Sequence, residues 1–187
     1  MCFRFIVLSA ILWLISSPAN AETIHDYAKR GDVAGIAAAL DAGSDVNDYN
    51  GLGTPLTAAV KKGHFAAAEL LITRGANVNI PTMYYGDPIM LATRQLRVDL
   101  VELLLEHGAI PNSTWDGQPV LNLAVALGCF GCVKALVEAG ADVNWKTTRD
   151  CQFTRSALGI ADFYGFRDIS DYLKAHGATE SIWTAQR

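Results

Sequence analysis

The sequence predicts an all-α solenoid of about five helix-turn-helix repeats joined by short β-hairpin-like loops. Two sets of observations predict it. Glycines that close an apolar run recur at Gly43, Gly75, Gly108, Gly140 and Gly177, with steps of 32, 33, 32 and 37 residues. The first four lead into kindred phrases, Ser44-Asp45-Val46-Asn47, Ala76-Asn77-Val78-Asn79, Ala109-Ile110-Pro111-Asn112 and Ala141-Asp142-Val143-Asn144, and the fifth into Ala178. Helix-opening phrases march in step: Thr54-Pro55-Leu56, Asp87-Pro88-Ile89, Pro119-Val120-Leu121 and Ser156-Ala157-Leu158. A fixed period of this length means stacked copies of one supersecondary unit.

The second copy shows the logic of the unit. Thr54 accepts from free amides at a helix start, and Pro55 presets φ at the first helical position. Gly63 breaks that helix, Phe65 to Ile72 forms a second one, and Gly75 supplies the left-handed residue that ends it. The period and these phrases, in register from Thr23 to Ala178, closely resemble the ankyrin repeat, with its unit of about 33 residues and its T-P-L-H-x-A phrase.

Residues 1–21 differ from the rest. Arg4 supplies a short positive region, Phe5 to Ile15 is apolar apart from Ser9, and Ala19-Asn20-Ala21 places small residues where a signal peptidase reads, so cleavage after Ala21 is expected. The apolar run falls short of the roughly 18 residues that a membrane span needs, so no membrane span is expected after cleavage. Of the 15 Lys and Arg residues only Arg4 precedes residue 22, and the remainder, 14 against 19 acidic residues, carries −5. That mild acidity speaks against a nucleic-acid partner, which wants a basic stripe.

Residues 22–47 read as an N-terminal capping repeat whose second helix, Val33 to Leu40, is weakened by Gly35. Residues 48–79 form the next repeat, where Thr57 replaces the family's usual His, a side chain that in ankyrins bridges neighbouring loops, and its hydroxyl is expected to make part of that network. In residues 80–112, Asp87 preserves the cap, whereas Leu96-Arg97 replaces the Gly-His of the inter-helix turn and puts that turn's geometry in question. Its second helix, Val98 to His107, is the most apolar of the set. Residues 113–144 open with Pro119 at the Thr position, without a hydroxyl cap. Residues 145–178 read as a C-terminal capping repeat with a lengthened loop, and Ser170, Asp171 and Lys174 give its last helix a polar outer face. Residues 179–187 are a tail with an isolated Trp183.

Cys129-Phe130-Gly131-Cys132 is a C-x-x-C at a helix start, an arrangement that supports redox exchange in thioredoxin-like proteins. No βαβ pattern surrounds it, and Cys132 occupies a core-aliphatic position, so the favoured reading is a small hydrophobic filler. A local disulfide and a thiol-disulfide oxidoreductase stand as alternatives. Cys151 is the odd cysteine, in the lengthened loop. The four histidines take ordinary structural positions: His64 in a turn, His107 and His176 ahead of helix-ending glycines, and His25 near the start. Neither a nucleophile elbow nor a metal-ligand cluster is found, and no cofactor is expected. The sequon Asn112-Ser113-Thr114 reads as a chance triplet.

The resemblance implies binding of another protein through the concave face of loop tips and first helices, by a monomer without catalysis of its own. Aligned repeats place Asn50, Lys61, Lys62, Met83, Tyr84, Arg94 and Gln95 there, followed by Trp115, Asp116, Gln118 and Leu127. The last repeat adds Trp145, Phe153, Arg155, Phe163 and Tyr164, with Tyr49 and Tyr85 adjoining the row. The aromatic cluster on the last two repeats is the preferred anchor. Export to the periplasm, or secretion, is expected from residues 1–21. The roles that fit are an immunity protein against an envelope-targeted toxin, a partner of a periplasmic oxidative-stress enzyme, or an effector released to a host cell.

Overall fold

The computed structural model describes residues 22–145 and 156–179. Within them ten helices form five pairs: α1 (Ile24–Arg30) with α2 (Val33–Asp41), α3 (Pro55–Lys62) with α4 (Phe65–Thr73), α5 (Pro88–Arg94) with α6 (Val98–Glu106), α7 (Val120–Ala126) with α8 (Phe130–Glu138), and α9 (Ala157–Tyr164) with α10 (Arg167–Ala175). The first helix of each pair packs on the first helix of the next, and the second helices form a parallel outer row. Phe153, Arg155, Cys151, Trp183 and the expected signal sequence lie outside the described residues.

Side-chain caps start the inner helices. Thr23 and Asp26 form a reciprocal capping box, Thr54 accepts from Thr57 N at 3.3 Å, Asp87 from Met90 N at 3.2 Å, and Ser156 from Gly159 N at 3.1 Å. Pro119 provides no such cap; Val120 N donates instead to Ser113 O at 2.9 Å. At the C-termini of the outer helices α6 and α10, the ring Nδ1 of His107 lies 2.9 Å from Leu103 O and that of His176 2.8 Å from Tyr172 O. Both imidazoles sit against carbonyls of the last helical turn, and Tyr172 O also accepts from His176 N at 3.2 Å.

The inter-helix turns resolve the question raised by Leu96-Arg97. Gly31, Gly63, Gly128 and Gly165 all take the left-handed conformation, and Leu96 adopts the same one with φ 58°. The turn is kept, at the cost of crowding the Leu96 Cβ. The residue after the turn covers the turn of the preceding repeat: His64 lies over Gly31, Arg97 over Gly63 and Phe166 over Gly128, each filling the space a Cβ would need. Arg97 Nη1 donates to Gly63 O at 2.6 Å, as His64 Nε2 lies 3.1 Å from Lys29 O, so arginine does here what the histidine does one repeat earlier. In the same register the residue following Leu96's repeat is Cys129, the smallest side chain to occupy the covering position.

At the opposite end, the asparagine that closes each recurring phrase spans to the next repeat. Asn47 Oδ1 accepts from Asn77 N at 2.8 Å, Asn79 Oδ1 from Ile110 N at 3.1 Å, Asn112 Oδ1 from Asp142 N at 2.7 Å and Asn144 Oδ1 from Thr179 N at 3.1 Å. The amides of Asn79 and Asn144 also donate to Gly108 O and Gly177 O, each at 3.0 Å. Asn112 is committed to this ladder, donating to Gly140 O at 3.4 Å, so its sequon is occupied structurally.

Four expectations are corrected. Cys129 and Cys132 form a disulfide, although the filler reading was favoured; Cys132 is at the same time fully buried in the core, so the two roles coincide. Thr57 does not reach a neighbouring loop: its hydroxyl donates to Thr54 O at 2.7 Å, within its own helix start. Ser170 is not on the polar outer face but buried, donating to Asp162 Oδ1 at 2.6 Å. Gly35 is more than a weak spot, because the Tyr27 ring lies where its Cβ would stand. The hairpin expectation is met by one ladder, β1 (Thr114–Trp115) with β2 (Gln118–Pro119), and by one isolated bridge, Thr82 with Gly86. Asp116 and Gly117 both have positive φ, 54° and 73°, as a two-residue turn between twisted strands requires.

Two outcomes follow for stability. Leu96 is 51% exposed and loses little burial on truncation, so Leu96→Gly should raise the urea unfolding free energy by about 1 kcal/mol through relief of the left-handed strain. The Asp26 carboxyl is lowered from 3.8 to about 2 by the backbone N–H of Thr23, then by the Thr23 hydroxyl and Lys29. Its folded value lies below its unfolded one, so its stabilisation is present above about pH 4 and lost as the pH falls through about 2. Asp26→Asn should flatten that stretch of the pH–stability curve. Asp87 acts with the opposite sign: burial raises its carboxyl against the Ser113 hydroxyl and the Met90 amide, so its contribution fades as the pH rises through its folded value.

Candidate protein-binding face

Two loops and two inner helices, α1 and α3, build a cleft of about 200 Å³ on the inner face of the first repeats, lined by residues that include Lys29, Asn50, Leu52, Lys61, Lys62, Tyr84 and Tyr85. Thr82 shapes one rim. Its N–H and hydroxyl both donate to Gly86 O, at 2.8 and 2.9 Å, while its oxygen accepts from Tyr85 N at 3.0 Å. That closed turn engages the N–H groups of Thr82 and Tyr85 and the carbonyl of Gly86, and Met83, Tyr84 and Tyr85 on it are exposed. Asn50 shapes the other rim, its Oδ1 accepting from Leu52 N at 3.1 Å and Gly53 N at 3.3 Å, and the turn presents Leu52. Lys61 Nζ sits 4.5 Å from the centre of the Tyr85 ring, and Tyr84 meets Tyr85 edge to face at 6.4 Å.

His25 was read as an isolated structural histidine and contributes more than that. It is buried, its Nε2 lies 3.1 Å from Gly53 O, and its Nδ1 lies 3.5 Å from Asp48 Oδ2. The side chain pins the first repeat to the loop of the second and forms part of the cleft wall. A partner 28 residues away leaves no local signal in the sequence.

The remaining predicted residues divide by position. Arg94 at the end of α5 and its C-cap Gln95 follow Lys61 and Lys62 in register, and Gln95 Nε2 donates to Val60 O at 3.1 Å, so it serves the stack. Trp115 is half-buried against the core and close over Gly86, and Asp116 and Gln118 belong to the hairpin turn and strand. Leu127 and Trp145 are exposed. Phe163 and Tyr164 are also exposed, with Phe163 edge-on to Tyr164 at 5.1 Å and Tyr164 stacked on Phe166 at 5.7 Å. The cleft therefore lies on the first three repeats, while the last two carry an exposed aromatic ledge.

No helix among the described residues is long and apolar enough to cross a membrane. A family model for ankyrin repeats in three copies matches residues 81–147, and one for many copies matches residues 24–72. The mouse Ankyrin repeat and SOCS box protein 11 is 32% identical over 59% of this chain and 33% of its own length. The mouse B-cell lymphoma 3 protein homolog is 33% identical over 70% of this chain and 27% of its own. The Caenorhabditis briggsae Ankyrin repeat and KH domain-containing protein CBG24701 is 29% identical over 79% of this chain and 5% of its own. The chain thus spans a third or less of the length of these curated relatives. Helix pairs in register, the asparagine ladder and two matching family models together assign this chain to the ankyrin-repeat family.

Proposed function

We propose that this chain is an exported ankyrin-repeat module that binds another protein through its inner-helix and loop face and performs no catalysis. The observation that carries the reading is the concentration of exposed large apolar side chains on that face: Leu52, Met83, Tyr84, Leu127, Phe163 and Tyr164. Exposed apolar area of this kind, rimmed by charge, marks an association surface. Cys132 is fully buried and Cys129 nearly so, which withholds both sulfurs from a substrate and favours binding over thiol exchange. Export is supported by Arg4, the Phe5 to Ile15 run and Ala19-Asn20-Ala21, and the Cys129–Cys132 bond suits an oxidising compartment. A Gram-negative periplasm accommodates both an immunity protein for an envelope toxin and a partner of an oxidative-stress enzyme; release into culture medium would instead indicate an effector.

Affinity capture from an envelope extract tests the reading. Replacing Tyr84, Leu127, Phe163 and Tyr164 together by alanine should abolish recovery of the captured protein, while replacing Glu69 and Glu102 on the outer row should leave it unchanged. Equal recovery with both variants would overturn the assignment of the face.

A further inference from the structure

The charges of the first three repeats are sorted between the two helix rows. Their inner helices carry Lys29, Arg30, Lys61, Lys62 and Arg94 against a single acid, Asp26. Their outer helices carry Asp41, Glu69, Asp99, Glu102 and Glu106 with no Lys or Arg. The chain as a whole is acidic at −4, so the cationic inner row is a local feature set against the net charge. Arg30 is held by Glu22 through two contacts of 2.6 and 2.8 Å, and Lys29 lies 3.4 Å from Asp26. No carboxylate among the described residues pairs with Lys61, Lys62 or Arg94. The contact of Lys61 with the Tyr85 ring fixes its ammonium in the cleft without neutralising it.

Farther along the stack, the same two register positions change character. Lys61-Lys62 and Arg94-Gln95 continue as Ala126-Leu127 and Phe163-Tyr164. One continuous track across the inner helices therefore runs from cationic to apolar and aromatic.

We infer that the occupant of this face is an extended segment of another protein, acidic where it lies over the first three repeats and apolar where it lies over the last two. This rests on the proposed protein-binding reading and specifies the chemistry of the partner. Carboxylates of the segment meet Lys61, Lys62 and Arg94, and its apolar side chains lie against Leu127, Phe163 and Tyr164. Packed helices lie roughly 10 Å apart, so five of them span about 40 Å, which an extended chain covers in about 12 residues. The charge half sets orientation and encounter rate, and the apolar half sets residence. A nucleic acid offers phosphates to the same cations, but it meets an acidic molecule elsewhere and has no use for the apolar half.

The test uses the full chain and fluorescein-labelled twelve-residue peptides read by anisotropy. One peptide has an acidic half and an aromatic half, a second replaces its Asp and Glu by Asn and Gln, and a third replaces its aromatics by alanine; a single-stranded oligonucleotide is the fourth probe. The first peptide should bind, the second and third about tenfold or more weakly, and binding of the first should weaken with added salt. Lys61→Glu with Lys62→Glu should weaken the first peptide about tenfold and leave the second unaffected, with unchanged circular dichroism. The inference is overturned if the neutral peptide binds as well as the acidic one, if the oligonucleotide binds more tightly than every peptide, or if no peptide binds. Should any of these occur while the Tyr84, Leu127, Phe163 and Tyr164 variant still loses its captured protein, the face is right and its charge rule is wrong.

Discussion

Contact between neighbouring repeats is the constraint from which the remaining structure follows. A pair of helices of seven to nine residues cannot bury its own apolar surface. Leu56, Ile89, Leu121 and Leu158 on the inner row, and Leu71, Leu104, Leu136 and Leu173 on the outer row, are buried only because successive pairs stack. Polar groups lock the register at both ends of each pair. Covering residues such as His64 and Arg97 bond a backbone carbonyl of the preceding repeat, and the asparagines at 47, 79, 112 and 144 bond the backbone of the next. Apolar burial supplies most of the stabilisation, and the hydrogen bonds allow one stacking register.

That register turns separate residues into a surface. Lys61 and Arg94 are 33 residues apart in the chain and stand in adjacent positions on adjacent helices because Asn79 and its counterparts fix the spacing. The binding face is accordingly carried on a rigid row of helix ends, while the adjustable parts are loop tips closed by their own hydrogen bonds at Asn50 and Thr82. Such preorganisation lowers the entropy lost on association.

The repeat boundaries were legible because they are written in residues with a local mechanism, caps at Thr54, Asp87 and Ser156 and left-handed glycines at Gly63 and Gly75. The turn at Leu96 read as a doubt, because its conformation is imposed by stacking against the preference of the residue. The disulfide was not legible, because a buried Cys132 suits a core position with or without the bond to Cys129. The exposed aromatics Phe163 and Tyr164 of the last repeat were legible; the cleft on the first three repeats was not. Trp115 looked like an anchor and is instead half-buried, while the cleft depends on Thr82 folding back on Gly86 and on His25 reaching Gly53, contacts that no periodicity announces.

The asparagine ladder is the most direct place to test whether repeat-to-repeat contact governs the molecule. Asn79 accepts from Ile110 N and donates to Gly108 O, so its side chain belongs wholly to the junction between two repeats. In Asn79→Ala, loss of both bonds should lower the urea unfolding free energy by about 1–3 kcal/mol. It should also speed hydrogen exchange at the Ile110 amide. A loss below about 0.5 kcal/mol with Ile110 protection unchanged would contradict the account, placing stability within individual repeats rather than between them.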